Sequence, residues 1–370
     1  MKRKPKRTVV SRYNMQQNGF SVQKRSIGGE HPVFIIAEMS ANHLGDYLRA
    51  KRLIAHAADA GADAIKLQTY TADDMTIDST CEDFIIHSGS PWDGRSFFEL
   101  YESAATPWEW HSPLKEYAES LGLVFFSSPF SLKAVDFLDD IGVELFKLAS
   151  FEITDIPLIE YLAKKGKPVI LSSGVADKED IQRALDIFHR AGCRDLGLLK
   201  CISSYPAPAQ EYNLRTLSFM EDAFGVVPGV SDHSLGNAVS VVSCGAGAKI
   251  VEKHLCEDRS LGGPDASFSL EPHEFSQMVR RIRETEEILG SSTYELTQRQ
   301  KKGRDFSRSL YVVEDMARGD CFTPETVRSI RPGFGLHPRY YREILGKRAA
   351  CDIGRGTPLS ADCIAGSFLK

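Results

Sequence analysis

The chain is 370 residues long, 42% hydrophobic and 26% charged, with a formal net charge of −5; that length gives about two to three domains, or one large barrel plus a small module, with a full core. The acidic balance argues against nucleic acid as the main partner, and no run reaches the roughly 18 apolar residues that a membrane helix needs. Eight cysteines without close pairs indicate neither a zinc ribbon nor a dense disulfide framework, so reduced thiols and a cytoplasmic location are the expectation.

In chain order, Lys2, Arg3, Lys4, Lys6, Arg7, Arg12, Lys24 and Arg25 crowd the start, and no apolar run of signal-peptide length follows them. Residues 1–30 therefore read as a basic, disordered, solvated tail. Eight strand-like apolar runs come next, at 33–38, 64–69, 123–128, 145–150, 168–173, 196–201, 225–230 and 249–254. Amphipathic helical segments such as 47–60, 113–121, 178–191 and 273–289 lie between them, several closing on Gly. Strict alternation implies a parallel sheet with crossover helices, and eight units in about 250 residues predict an α/β fold, a closed (β/α)8 TIM barrel. Its span is 31–290. A doubly wound open sheet is the competing architecture; it would carry a Gly-rich phosphate turn after the first strand, and N-H-L-G-D is not one. The long connection at 71–105, with Trp92, Asp93 and Gly94, reads as a lid. Residues 291–305 read as a linker, and 306–370, with short β-like runs between Gly/Pro turns, as a small β-rich module.

Barrel chemistry sits at the C-terminal ends of the strands. The first strand ends in Glu38, and the second presents Lys66 and Gln68 on one face. The third ends in Ser127 and Ser128; the fourth carries Lys147 and ends in Ser150, with Glu152 just beyond; the fifth ends in Ser172 and Ser173. The sixth runs into S-S-Y-P-A-P, and the last two deliver Ser231, Asp232, His233 and His254. Lysines inside apolar strands need anions, because an unpaired charge is costly in a dry interior. Lys66 and Lys147, with the hydroxyls of Ser128, Ser150, Ser172 and Ser231, form a candidate cradle for phosphate and carboxylate. The competing reading makes each lysine half of an internal salt bridge with Glu38 or Glu152, and each serine a helix cap. A buried lysine also suits Schiff-base chemistry on a keto acid. Glu152 is a candidate general base or proton relay, or else a surface acid or a cap for the helix that E-I-T-D-I-P precedes. His233 and His254, at the ends of neighbouring strands, are either a structural pair or half of an open divalent-metal site completed by carboxylate, water or substrate oxygen.

With I-I-A-E-M-S-A-N-H, K-L-Q-T-Y-T-A-D, T-P-W-E-W-H, F-S-S-P-F, K-L-A-S-F-E-I, S-Y-P-A-P, S-D-H-S-L-G, E-K-H, D-R-S-L-G-G-P-D-A-S-F-S-L-E-P and S-I-R-P-G-F-G-L-H-P in this order, residues 32–364 resemble the sialic acid synthase family. Within it, A-E-M-S-A-N-H, L-Q-T-Y-T and D-R-S-L-G-G-P-D most resemble the members that make pseudaminic acid. The resemblance implies a transferase that condenses phosphoenolpyruvate with 2,4-diacetamido-2,4,6-trideoxy-altrose. It also implies a barrel followed by an antifreeze-like (SAF) domain, in a domain-swapped homodimer whose SAF domain reaches over the partner's site. By similarity His233 and His254 are the ligands of a divalent metal, Mn²⁺ with Mg²⁺ or Co²⁺ as alternatives. Lys66, Ser128, Lys147, Ser150, Ser172, Ser203 and Ser231 match positions that bind phosphoenolpyruvate. Glu38, Gln68, Tyr205 and Asp265 match sugar contacts, Arg331 matches the arginine lent by the other subunit, and Glu152 matches the acid/base. Two positions depart from the pattern: Ser128 stands where the family tends to have Thr, and Ser203 where it tends to have Asn. The rival functions are a sialic or legionaminic acid synthase with the same mechanism, a metal-independent Schiff-base lyase, and an ice- or carbohydrate-binding protein without turnover.

Overall fold

Strands buried on both faces read as continuous apolar runs rather than as alternating ones, and that is how the strands of this chain are written. The computed structural model describes residues 19–87 and 92–366, and it divides into two compact units, Met1–Gly290 and Ser291–Lys370. In the first unit β1 (Gly19–Val22) and β2 (Arg25–Gly28) form an antiparallel hairpin. Eight parallel strands follow: β3 (Phe34–Glu38), β4 (Ala64–Thr69), β5 (Val124–Pro129), β6 (Phe146–Leu148), β7 (Val169–Ser172), β8 (Leu196–Cys201), β9 (Val227–Asp232) and β10 (Ile250–His254). They close in sequence order, with β10 pairing back onto β3, so the barrel is the architecture adopted and the open sheet is not.

The crossovers are α1 (Tyr47–Asp59), α2 (Ala72–Met75), α3 (Phe97–Ala104), α4 (His111–Ser120), α5 (Leu132–Asp140), α6 (Ile156–Lys164), α7 (Lys178–Arg190), α8 (Leu217–Phe224), α9 (Ala238–Gly245) and α10 (Pro272–Leu289). Capping residues start several of them: Asp46 accepts from the amides of Leu48 and Arg49, and Ser131 from that of Ala134. Outward-facing strand residues such as Ile35, Leu67, Phe125, Leu198 and Val251 pack on the helix faces in one large core. Strand β9 carries Pro228 and Gly229, turn-like residues by composition. A side-chain carbon at Gly229 would sit 2.6 Å from the Ile250 carbonyl oxygen, so only glycine lets β9 lie this close to β10.

The tail expected over 1–30 is corrected for its last third. Phe20, Val22 and Ile27 of the hairpin join Phe34, Ile36, Ala64, Val124 and Phe126 in a second apolar cluster inside the barrel. The hairpin thus plugs the N-terminal mouth. It escaped the sequence reading because each strand is only four residues long, and because Lys24 and Arg25 at its turn read as more of the basic run. Arg25 instead ion-pairs with Asp63 at 2.8 Å. Residues 1–18 of that tail, and 88–91 of the expected lid, lie outside the described residues. The described part of the 71–105 connection holds α2 and α3, each opened by a capping box, Thr71 with Asp74 and Ser96 with Glu99.

In the second unit β11 (Ser309–Val312) pairs antiparallel with β12 (Val327–Ile330) around Leu310, Val312, Phe322, Ile344 and Leu359. The stretch read as a linker contains a short helix, α11 (Gln298–Gly303), started by a Thr297–Gln300 capping box, and α12 (Tyr341–Ile344) follows later.

Because Ile27 is fully buried under the barrel, Ile27→Ala is expected to cost about 2–5 kcal/mol of stability, read as a lowered denaturation midpoint. A midpoint unchanged from wild type would mean that the hairpin is not part of the core.

Candidate active site

The alternation that fills the barrel also builds the site. Going up each strand by two residues, the interior row changes from apolar to polar at one level: Ile36 to Glu38, Ala64 to Lys66, Phe126 to Ser128, Leu145 to Lys147, Ile170 to Ser172, Leu199 to Cys201, Gly229 to Ser231 and Ile250 to Glu252. Each strand thereby contributes one side chain to a polar floor above the apolar plug. Over that floor opens a cavity of about 980 Å³. Of the residues given a binding or catalytic role from the sequence, all line it except Arg331, which belongs to the second unit, where it is exposed after β12; the strand-end residues Ser127, Ser173 and Asp232 do not line it. Cys201 and Glu252 also line it and were not singled out. Glu252 lies two residues before His254 in E-K-H, so strand alternation alone places it beside that imidazole.

The two lysines differ. The Lys66 ammonium lies 3.2 Å from Glu38 and 3.1 Å from Glu252; Ser231 donates to Glu252 at 2.8 Å and Gln68 to Glu38 at 3.0 Å. The salt-bridge reading therefore holds for Lys66, with a second carboxylate that the sequence reading did not pair with it. Burial works against all three charges. At Lys66 the two carboxylates outweigh it and raise the pKa. At Glu252 the two lysines and Ser231 outweigh it and lower the pKa, whereas at Glu38 burial dominates and raises it. Lys147 is 1% exposed, donates to Ser172 at 2.7 Å and to the Leu148 carbonyl at 2.9 Å, and among the described residues has no carboxylate within ion-pair distance. Burial and Lys66 push it down to about 8, against the attraction of Glu252.

Serine caps were the competing reading of the strand-end hydroxyls. The helices use others: Ser131 caps α5, Asp155 caps α6 and Asp177 caps α7. Ser150 and Ser203 bond to each other at 2.6 Å instead, and the buried Ser128 hydroxyl has no partner among the described residues. Gly174 permits the first arrangement, since a side-chain carbon there would lie 2.2 Å from the Ser203 hydroxyl oxygen. Glu152 sits in the turn after β6, Phe151–Thr154. With Asp155 as the cap, its carboxylate is left to the cavity; Oε2 is buried and unpartnered, and burial pushes the group up to about 7.

The His233 and His254 rings lie with centroids 5.3 Å apart. His233 Nδ1 faces the Ile202 carbonyl at 3.0 Å, which fixes that nitrogen as the donor and leaves Nε2 free to bind a cation. His254 Nδ1 is buried without a partner, and burial with neighbouring cations keeps the ring neutral. Both rings line the cavity, and the pair suits a divalent metal. No group of three or more His, Cys, Asp or Glu ligands assembles among the described residues, so water or substrate would complete the sphere. Tyr205 and Phe268 wall the imidazoles at ring distances of 4.6 to 6.1 Å. Asp265 is buried and accepts from the Ser40 hydroxyl.

Similarity to known proteins spans both units. A NeuB family model matches residues 53–294 and a SAF domain model residues 307–365. Pseudaminic acid synthase of Campylobacter jejuni is 44% identical over 345 residues, 93% of this chain and 98% of that protein. Pseudaminic acid synthase of Helicobacter pylori is 41% identical, over 91% of this chain and 99% of that one. Among solved structures, N-acetylneuraminic acid (sialic acid) synthetase from Leptospira borgpetersenii, in complex with citrate, aligns with a TM-score of 0.69 at 33% identity, over 77% of this chain and 94% of that one. Since the NeuB match alone takes in more than half of the residues, and the relatives run nearly end to end, this chain belongs to the NeuB family.

Proposed function

We propose that the chain is a pseudaminic acid synthase, condensing phosphoenolpyruvate with 2,4-diacetamido-2,4,6-trideoxy-altrose and water to give pseudaminic acid and phosphate. What carries this reading, in a chain with such relatives, is Lys147: a fully buried cation, set among hydroxyls and with no ion-pair partner among the described residues, is a site built for an anion. Phosphoenolpyruvate supplies two, a carboxylate and a phosphate. Lys147 and Lys66 would bind them as point charges, with Ser128, Ser150, Ser172, Ser203 and Ser231 as hydroxyl partners. The sugar would lie toward Glu38, Gln68, Tyr205 and Asp265.

In the reaction a bond forms between C3 of phosphoenolpyruvate and the sugar aldehyde carbon, whose oxygen takes up a proton. Cationic character develops at C2, and water adds there and loses one proton, leaving a C2 hydroxyl beside the phosphate ester. Phosphate then leaves as the C2–O bond breaks, and the hydroxyl, losing its own proton, becomes the C2 ketone. One of the water's protons thus goes to the phosphate, and the other balances the proton taken up by the aldehyde oxygen. Glu152, which lines the cavity and whose buried Oε2 has no hydrogen-bond partner among the described residues, is the residue that we assign to accept the water's proton and return it to the departing phosphate. A divalent metal held by His233 and His254, Mn²⁺ with Mg²⁺ or Co²⁺ as alternatives, would supply Lewis-acid polarisation of the aldehyde. Glu252 and Glu38 keep Lys66 protonated and fixed in position. Arg331 in the second unit is assigned to the site of another subunit, which makes the working form a domain-swapped homodimer. Eight unpaired cysteines, together with the absence of any helix in the described residues long and apolar enough to cross a membrane, suit action in the cytoplasm.

Phosphate release from phosphoenolpyruvate tests the whole reading. Metal-stripped enzyme should be silent, and Mn²⁺ should restore turnover with the altrose-configured sugar but not with N-acetylmannosamine. Turnover with N-acetylmannosamine instead would move the chain to a sialic acid synthase, and a borohydride-trapped adduct with pyruvate would point to the Schiff-base lyase. Lys147→Met should raise the KM for phosphoenolpyruvate by about tenfold to a hundredfold, the range for losing a charge-assisted contact; an unchanged KM would remove Lys147 from the anion site. Because burial holds Glu152 at about 7, its base form accumulates above that pH. The activity limb should therefore rise between about pH 6 and 8. Glu152→Gln should abolish the limb, and a profile that keeps the limb in this variant would assign the proton transfer elsewhere.

A further inference from the structure

The loops that follow β3 and β10 meet at one point of the cavity wall, where Ser40 and Ala41 face Asp265. Ser40 stands there with φ 44°, in the left-handed region that a residue with a side chain rarely occupies. Its hydroxyl donates to Asp265 Oδ2 at 2.5 Å, and the Ala41 amide reaches the same oxygen at 3.5 Å. Among the described residues no hydrogen bond reaches Asp265 Oδ1. Both residues are buried and both line the cavity.

A latch between two loops would be the plain explanation, but another residue already provides one. Asn42 donates to the Leu255 carbonyl at 3.0 Å and to the Ser269 hydroxyl at 2.9 Å, and Ser269 in turn donates to the Asp265 carbonyl at 2.6 Å. Glycine would make the turn at position 40 without strain. What serine adds there is the hydroxyl, and that hydroxyl engages one oxygen of a carboxylate in the substrate cavity. We infer that Ser40 is a specificity-positioning residue: it pins Oδ2 of Asp265 so that Oδ1 is presented as a single oriented acceptor for a sugar hydroxyl or acetamido N–H of one configuration. A buried acceptor with a fixed direction rejects an isomer whose donor points elsewhere, because the acceptor is then left unpaired. The inference rests on the synthase reading and deepens it by locating sugar discrimination in a residue outside the anion cradle and the imidazole pair.

The test uses the full chain with metal and phosphoenolpyruvate, with kcat and KM measured separately for each substrate in wild type, Ser40→Gly and Ser40→Ala. The altrose-configured sugar should show a KM raised about tenfold or more in both variants, with discrimination against N-acetylmannosamine reduced by the same factor. The KM for phosphoenolpyruvate should stay within about twofold. Both variants should melt close to wild type, Ser40→Gly the higher of the two, since only glycine takes φ 44° freely. An unchanged sugar KM in both would overturn the inference. So would a loss that falls equally on both substrates or comes with a collapsed melting temperature, since the hydrogen bond would then be structural. If wild type itself prefers another aminosugar, the proposed function is what fails, and Ser40 is then judged by the KM of that sugar.

Discussion

The Lys66 ion pair with Glu38 and Glu252 is the interaction on which the rest of this site depends. A lysine buried alone would lose its proton or leave the interior. Here two carboxylates at 3.2 and 3.1 Å hold it charged at the barrel floor. Glu252, which both lysines keep ionised, also holds the second cation, Lys147, within its field, although Lys147 is bonded only to a hydroxyl and a carbonyl. The floor is held by contacts within the barrel itself, which is what keeps a charged site compatible with a folded barrel.

The imidazoles depend on a second buried pair. Strand alternation turns Ser231, His233, Glu252 and His254 inward, and the same alternation turns Asp232 and Lys253 out, where they are register partners on β9 and β10. Both are fully buried and lie 3.2 Å apart. The Asp232 carboxylate also accepts from the amides and hydroxyls of Ser234 and Ser240, and Lys253 donates to the Ser234 carbonyl. Every polar group of the pair is thus satisfied, which makes such burial tolerable. The two strand ends that carry His233 and His254 are held in one relation by contacts that never touch the cavity.

Below the site, the hairpin β1–β2 adds an apolar plug to the barrel's N-terminal mouth. Phe20, Val22 and Ile27 complete the interior layers beneath Lys66 and Lys147. A drier floor strengthens the charge interactions above it. Arg25 and Arg283 both bind Asp63, at 2.8 and 2.9 Å, which ties the hairpin to the helix α10 that ends the barrel.

The sequence by itself determined the architecture and most of the chemistry. Burial on both faces forces long apolar strands, and the odd residue out in each, Lys66, Lys147, His233 or His254, is visible because it breaks the run. Eight such strands between helices admit little besides a closed barrel. What composition could not decide was partnership, because it depends on residues far apart in the chain. Glu252 meets Lys66 across 186 positions only when β10 returns beside β3. The hairpin is too short and too basic to announce itself, and becomes core only because a barrel mouth is there to receive Phe20 and Ile27. Ser40 is an ordinary polar residue in the sequence; its left-handed backbone and its bond to Asp265 exist only once the loops after β3 and β10 are brought together. Strand pattern is a local property and can be read along the chain, whereas charge pairing and loop strain belong to the closed barrel, and tertiary structure alone decides them.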